Sequence, residues 1–181
     1  MPYDTEKPMN HNYPIEQLAR SVQTRFQAGF ARTTMQLMPV FEDARLEATA
    51  HGLKILGANE MALTGPSEVI RKICAHEVLL EEPQVRRHYY AGELREPIMC
   101  VRTSVDSELA EVVIQDLVAR GSTIDSVYWL RSPAVIRAQA PLRNLLGYSH
   151  VLAELSKGAA NLKMWLSHYA PVMPGPGGEA A

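Results

Sequence analysis

The alternation of strand and helix patterns over residues 96–172 constrains the fold more than any other feature of this sequence. Apolar side chains recur at every second residue in some segments and at every third or fourth residue in others, which are the periods of strands and helices. Pro141 suits the first turn of the second helix, and Gly121 and Gly158 are placed to end the two helices. The predicted elements are, in order, a strand at Met99–Val105, a helix between Asp106 and Gly121, strands at Thr123–Arg131 and Ala134–Ala140, a helix at Pro141–Leu155 and a strand at Leu162–Tyr169.

This order, β-α-β-β-α-β, predicts a ferredoxin-like sandwich, in which the helices cover one face of an antiparallel sheet. The residues that alternate with the helix-facing ones then form an open face on the other side of the sheet. The residues predicted on that face are Arg102, Arg137, Lys163, Trp165 and Tyr169, together with Val135 and Gln139. They make it the main candidate for a binding surface.

The first half of the chain is less regular and predicts the order α-β-β-β-α-β. Its first element is an amphipathic helix over residues 14–28. Ile15, Leu18 and Val22 lie at helical spacing there. The other predicted elements are strands at Thr33–Phe41, Arg45–Ala50 and Leu53–Leu63, a helix that starts at Pro66, and a strand at Val78–Tyr89 that Pro83 bends or keeps partly off the ladder. We therefore expect an α+β protein with two small ferredoxin-like sandwiches, the N-terminal one with an altered start.

A break in the periodicity at Tyr89–Arg95 predicts a linker between two domains. The predicted domains comprise residues 14–92 and residues 96–172. Residues 1–13 and 173–181 lack a periodic apolar face, so we expect them to be disordered tails.

The charge and cysteine content limit the classes of function. The 181 residues carry a formal net charge of -2, so the whole chain has no electrostatic attraction to nucleic acid, although a local basic patch is compatible with RNA contact. Cys74 and Cys100 lack the spacing of metal ligands and indicate buried free thiols in a reducing compartment. No apolar run reaches the roughly 18 residues that a membrane span requires, and the N-terminus has no export-signal pattern. We therefore expect a cytoplasmic protein without a membrane partner.

Several short motifs in the second half resemble one known family. They are Glu96-Pro97-Ile98-Met99, Asp116-Leu117-Val118-Ala119-Arg120, Val135-Ile136-Arg137-Ala138, Gly147-Tyr148 and His168-Tyr169. Together they resemble the C-terminal, fifth domain of elongation factor G, the translational GTPase that drives tRNA translocation on the ribosome. The resemblance covers residues 96–172 almost without gaps. It implies a ferredoxin-like fold for this region and the ribosome, through its RNA or its proteins, as a partner.

A weaker resemblance to the third domain of elongation factor G covers residues 53–90, and it rests on Leu56–Leu63 and Glu82–Val85. The sequence also departs from the family pattern. It contains no Gly-x-x-x-x-Gly-Lys-Ser/Thr phosphate loop, which predicts a non-GTPase. The family's Arg-Gly-Arg element reads Gly121–Thr123 here, and Ala160 stands where the family has a second basic position near ribosomal RNA and proteins.

The predicted open face has three interpretations. Cations beside aromatic rings hold phosphates and stack unpaired bases in proteins that bind single-stranded RNA. Tryptophan and arginine are also enriched in protein interfaces, which favours packing of the face on the first domain or on a second copy of the chain in a homodimer. The third interpretation is a face that is only exposed to solvent, and the sequence leaves all three open.

A second candidate is the basic and aromatic run that begins at Arg86. It reads Arg86-Arg87-His88-Tyr89-Tyr90, with Arg95 close behind. Charge and stacking from Arg86, Arg87 and Tyr89 would suit an RNA backbone. The alternative is a strand end and linker with a solvated face, which is the more usual structure of such runs.

No residue pattern points to catalysis. The six histidines include no His-x-x-x-His pair, and no nucleophile has an evident base. We therefore expect no metal, no cofactor and no enzymatic activity. The sequence predicts a non-GTPase, elongation factor G-like binding module that is associated with the ribosome and translation. The alternative is a homo-oligomeric scaffold or small-ligand binding protein that reuses two ferredoxin-like domains.

Overall fold

Each half of the chain folds into an antiparallel sheet with helices on one face. The computed structural model describes residues 12–75, 77–129 and 131–172, and apart from Asn12 and Tyr13 the predicted tails lie outside these ranges. The strands of the first sheet are β1 (Ile15–Ser21), β2 (Ala44–Thr49), β3 (Gly52–Gly57), β4 (Val78–Leu80) and β5 (Gln84–Val85). Its helices are α1 (Gln27–Leu37) and α2 (Thr64–Ile73), and a 3-10 turn at Glu60–Leu63 precedes α2.

The second sheet has the same connectivity as the first. Its strands are β6 (His88–Tyr90), β7 (Glu93–Val105), β8 (Thr123–Trp129), β9 (Ala134–Pro141) and β10 (Asn161–Pro171), and its helices are α3 (Ala110–Ala119), α4 (Leu142–Leu145) and α5 (Tyr148–Leu155). The strands lie in the order β2-β3-β1-β4 in the first sheet and β10-β7-β9-β8 in the second. Each β-α-β-β-α-β unit thus places its first strand between its third and fourth strands, as in a ferredoxin-like sandwich. The predicted fold class, α+β with two such sandwiches, is confirmed.

The start of the first sandwich is regular, and the prediction of an altered start is wrong. The predicted helix over residues 14–28 contains the central strand β1 and the first residues of helix α1, and most of the predicted strand at Thr33–Phe41 belongs to helix α1. Ile15 and Ala19 of β1 are fully buried toward the helices, whereas Leu18 lies on the other face and borders a surface cavity. Because the central strand has apolar residues on both faces, the spacing of Ile15, Leu18 and Val22 matched that of a helix. Helix α1 was missed because it buries small and polar side chains instead of an apolar stripe.

Two other predicted strands of the first half are shorter than expected. The strand at Leu53–Leu63 ends at Gly57, where the chain turns into the 3-10 turn. The strand at Val78–Tyr89 is divided into β4, β5 and β6, and Pro83 lies between β4 and β5. A proline has no backbone N–H to donate to a ladder, which accounts for this interruption.

The second sandwich follows its sequence prediction closely. Helix α3 ends before Gly121, which has a φ of 75°, and Ser122 N donates to Leu117 O at 3.0 Å across the helix end. The second predicted helix is interrupted, because Gly147 adopts a φ of 74° between α4 and α5. This interruption keeps the helical layer over the sheet while turning the chain at a glycine.

The predicted linker at Tyr89–Arg95 is a β-hairpin of the second sheet. Strand β6 pairs with β7, with His88 opposite Arg95, and Gly92 has a φ of 81° in the turn. The chain therefore passes from one sheet to the other at Arg86–Arg87, between β5 and β6.

Hydrogen bonds join the two sandwiches at one edge of the second sheet. Asn59 Nδ2 donates to Met164 O of the edge strand β10 at 2.9 Å. Gly147 N donates to Glu60 Oε2 at 2.7 Å. The first contact lies at the β10 edge and the second at the α4–α5 turn of the helical layer, so neither lies over the centre of the open face.

Candidate functional site

The centre of the open face is a row of three cations on adjacent strands. Lys163 of β10 lies opposite Arg102 of β7, and Arg102 lies opposite Arg137 of β9. Directly opposite residues in an antiparallel sheet have Cβ atoms about 4.5–5.5 Å apart, and all three side chains are exposed. The structure therefore brings three of the predicted site residues together, and we call Lys163, Arg102 and Arg137 the cation row.

No carboxylate among the described residues forms an ion pair with the cation row. The Arg137 guanidinium lies 5.8 Å from the centroid of the Tyr128 ring. On the same face, Gln139 Nε2 donates to Asp125 Oδ2 at 3.1 Å, so this acid is engaged with an amide. Like charges directly opposite each other destabilise a strand pair by about 0.2–1 kcal/mol. The row thus concentrates positive charge at a cost to the sheet.

Aromatic rings flank the cation row on both sides. Trp165 follows Lys163 by two residues on β10 and is 46% exposed. Tyr128 of β8 lies opposite Val135, which was predicted on this face, and is 52% exposed. The sequence did not reveal Tyr128 because the register of β8 shifts around Asp125, which interrupts the alternation along that strand.

Tyr169 does not lie on the open face, contrary to the prediction. The register of β10 shifts between Leu166 and His168, so that His168 lies opposite Ile98 and Tyr169 lies opposite Pro97. One extra residue in a strand reverses the facing of every later side chain. His168 therefore takes the place on the open face that simple alternation gave to Tyr169.

Tyr169 is enclosed by the segment that enters the second sheet. Its ring centroid lies 4.9 Å from that of His88. Burial raises the pKa of Tyr169 to about 12, against a smaller lowering by the charge of Arg86. The side chain has a structural environment rather than that of a solvent-facing binding group.

The basic run is divided between internal contacts and solvent. Arg86 Nη1 donates to Tyr13 O at 2.9 Å, and Arg86 Nε lies 3.3 Å from Glu16 Oε2. Arg87 is exposed, and Tyr89 is 73% exposed. The three residues predicted as one site therefore do not converge, because Arg86 is turned toward the first sandwich.

A groove of about 430 Å³ lies between the β10 edge and the first sandwich. It is lined by Asp43, Asn59, Met61, Ala62, Leu162, Lys163, Met164 and Trp165. Lys163 and Trp165 border both this groove and the open face. The sequence could not predict the groove because its walls come from residues as far apart as Asn59 and Met164, 105 positions from each other.

The described residues show no group of three or more histidine, cysteine or acidic side chains that could hold a metal ion. Cys74 and Cys100 are free thiols, both only partly buried. Burial raises the pKa of the Cys74 thiol, with a smaller opposing effect of a hydrogen bond to Thr34. None of the helices in the described ranges is long and apolar enough to cross a membrane.

Comparison with known proteins identifies the second half of the chain. Residues 93–177 match the model of the family described as elongation factor G C-terminus. The chain is 31% identical over 147 residues to elongation factor G of Fervidobacterium nodosum, a match that covers 76% of this chain and 21% of that protein. It is 27% identical over 121 residues to a mitochondrial ribosome-releasing factor 2 of Danio rerio, covering 67% and 15% of the two chains. The chain therefore spans between 15% and 21% of the length of these two relatives.

A solved structure supports the fold over most of the chain. A crystal structure of a protein from Thermus thermophilus superposes with a TM-score of 0.64 at 16% identity, covering 88% of this chain and 41% of that one. At this identity the likeness concerns the fold alone. Together with the family match it shows that the chain contains an elongation factor G C-terminal-like region, and hence a module that resembles part of a translation factor.

Proposed function

We propose that this chain is a translation-factor-like binding module that associates with the ribosome through its surface. The observation that carries the proposal is the match of residues 93–177 to the C-terminus of elongation factor G. The names of the relatives refer to elongation and to ribosome release, which supports a partner in the translation apparatus. Fold alone would not, because ferredoxin-like sandwiches serve many functions.

The two sandwiches are two domains in this proposal, and the first corresponds to the third domain of elongation factor G. The match to the Fervidobacterium nodosum protein extends over 147 residues, which is longer than the region 93–177 alone. The regular β-α-β-β-α-β order of the first sandwich is consistent with this assignment.

The module is proposed to act without catalysis. The 181 residues contain no Gly-x-x-x-x-Gly-Lys-Ser/Thr phosphate loop, and the described residues show no metal-binding group. Its contribution would come from shape and charge complementarity with its partner. The names of the relatives do not point to the alternative, a homo-oligomeric scaffold or small-ligand binding protein.

Sucrose-gradient sedimentation of the purified full chain with ribosomes tests the proposal. At physiological salt, the chain is expected in the fractions that contain ribosomes or one of their subunits, and in the light fractions when ribosomes are omitted. Added GTP should leave this distribution unchanged, and the chain should release no phosphate from GTP. Recovery of the chain only in the light fractions would refute the proposal.

A further inference from the structure

We propose that the open face of the second sheet binds unpaired RNA. The cation row holds phosphates, and Trp165 and Tyr128 stack on bases. This inference deepens the proposed function, on which it rests, because it names the class of partner and the surface that meets it.

The charge of the face points to a polyanion. Lys163, Arg102 and Arg137 face one another directly across three strands, and no ion pair of the described residues involves any of them. This placement weakens the sheet, because like charges directly opposite each other repel. Departures from local rules of this kind are expected at functional sites. Successive phosphates along a backbone would offset the repulsion within the row.

The aromatic rings distinguish RNA from an acidic protein. Trp165 and Tyr128 flank the row on the same face and are 46% and 52% exposed. Single-stranded RNA is bound on antiparallel sheets by stacking of splayed bases on such rings, while the phosphates meet cations. Double-stranded RNA keeps the faces of its bases inside the helix. The combination therefore fits unpaired RNA.

The groove beside Trp165 determines where the bases and the backbone of the RNA lie. Its volume of about 430 Å³ offers space next to the indole ring. Asp43 lines the opposite part of the groove and makes it unfavourable for a phosphate, because like charges repel. The backbone is therefore expected to follow the cation row, while a base next to Trp165 turns toward the groove.

Fluorescence anisotropy with a labelled oligoadenylate of about 12 nucleotides tests the inference on the full chain. Titrations run between about 50 and 200 mM salt give the affinity and its salt dependence. Polyglutamate of similar length and a double-stranded RNA serve as competitors. We expect the oligoadenylate to bind and both competitors to displace it poorly.

Two variants separate the roles of charge and stacking. The triple variant Arg102→Gln, Arg137→Gln, Lys163→Gln should reduce the slope of log affinity against log salt by about 2, since each phosphate contact on a single strand contributes about 0.7. Trp165→Ala should weaken binding about 5- to 150-fold with little change in the slope, and Trp165→Phe should restore most of it. The matched control is Arg25→Gln, Arg71→Gln, Lys72→Gln, which removes three exposed charges from the first sandwich and should lower the slope much less.

Several results would overturn the inference. They are failure of the folded wild-type chain to bind the oligoadenylate, equal loss in the triple variant and its control, an unaltered affinity in Trp165→Ala, or equally tight binding of polyglutamate. Far-ultraviolet circular dichroism verifies that each variant is folded. The proposed function is judged separately, because sedimentation of the chain with ribosomes can persist when the oligoadenylate does not bind. Conversely, RNA binding without such sedimentation would refute the proposed function and show the open face to be an RNA-binding surface without a ribosomal partner.

Discussion

The two sheets have the same topology, but the charged side chains on their open faces are arranged in opposite ways. On the first sheet, Glu16 Oε2 lies 3.1 Å from Lys54 Nζ and 3.3 Å from Arg86 Nε. Beside them, Arg20 Nη1 lies 3.4 Å from Glu81 Oε1. On the second sheet, the cation row has no acidic partner among the described residues. One face is neutralised by its own side chains, and the other is left positively charged.

This difference shows which part of each sandwich the fold determines. The helix-facing sides of both sheets must bury apolar residues, such as Ile15 and Ile55 in the first and Met99 and Ile136 in the second. The open faces carry the charged residues, and opposite charges across strands are the arrangement that stabilises them. The first face follows that rule. The second departs from it, which is why we assign it a partner.

The largest effect on the free energy of unfolding is expected at a buried ion pair. This pair serves as a reference for the exposed charges of the two open faces. The Glu96 side chain is 2% exposed, and Arg143 Nη1 donates to its Oε2 at 2.8 Å. Arg143→Met should lower the free energy of unfolding by about 3–5 kcal/mol, because it leaves a buried carboxylate without its partner. Urea denaturation measures this loss, and Arg87→Met is the exposed control. A loss below about 1 kcal/mol would mean that Glu96 reaches water or another donor.

Removal of the central acid from the first face should destabilise the protein. Glu16→Gln keeps the shape of the side chain but leaves Lys54 and Arg86 without the carboxylate that both contact. Two partly exposed ion pairs together stabilise by roughly 0.5–2 kcal/mol, and urea denaturation should show a loss in that range. Glu82→Gln at the rim of the same face is the control. If the two variants were equally stable, the first face would not be held by its charges.

Removal of the central cation from the second face should have the opposite sign. Arg102 faces Lys163 on one side and Arg137 on the other, so Arg102→Gln relieves two repulsive pairs. We expect a gain of about 0.4–2 kcal/mol in the free energy of unfolding at low salt, and a smaller gain at about 1 M salt, where charges are screened. The measurement is urea denaturation at the two salt concentrations. A loss of stability in Arg102→Gln would contradict the distinction between the two faces.

The sequence predicted those parts of the fold that depend on local patterns. The alternation over Met99–Val105 and the glycine at Gly121 were sufficient for the second half of β7 and for the end of α3, and they placed Arg102 on the open face. The central strand β1 was mistaken for a helix because it has apolar side chains on both faces of the sheet, and its pairing with the strands on either side is not visible in its own sequence. Tyr169 was placed on the wrong face because a single bulged residue, Ser167, leaves no distinct pattern in the sequence. Strand register and the docking of one element on another depend on two segments at once. The pattern of one segment alone therefore does not predict them.

The smallest effect is a spectroscopic one, and it tests whether Tyr169 lies outside the open face. Burial raises the pKa of Tyr169 to about 12 because the bulge turns the ring away from that face. A raised pKa means that the folded state holds the proton more tightly than the unfolded state, whose value is 10.0. Stability contributed by the neutral phenol is therefore lost as pH rises from 10.0 toward about 12.

The difference in tyrosinate absorbance between the wild type and Tyr169→Phe should accordingly appear near pH 12. Deletion of Ser167 should move it toward 10.0, because the restored alternation would turn Tyr169 onto the open face beside the cation row. A wild-type difference already complete near 10.0 would show that the Tyr169 ring lies in solvent and would contradict its enclosure beside His88.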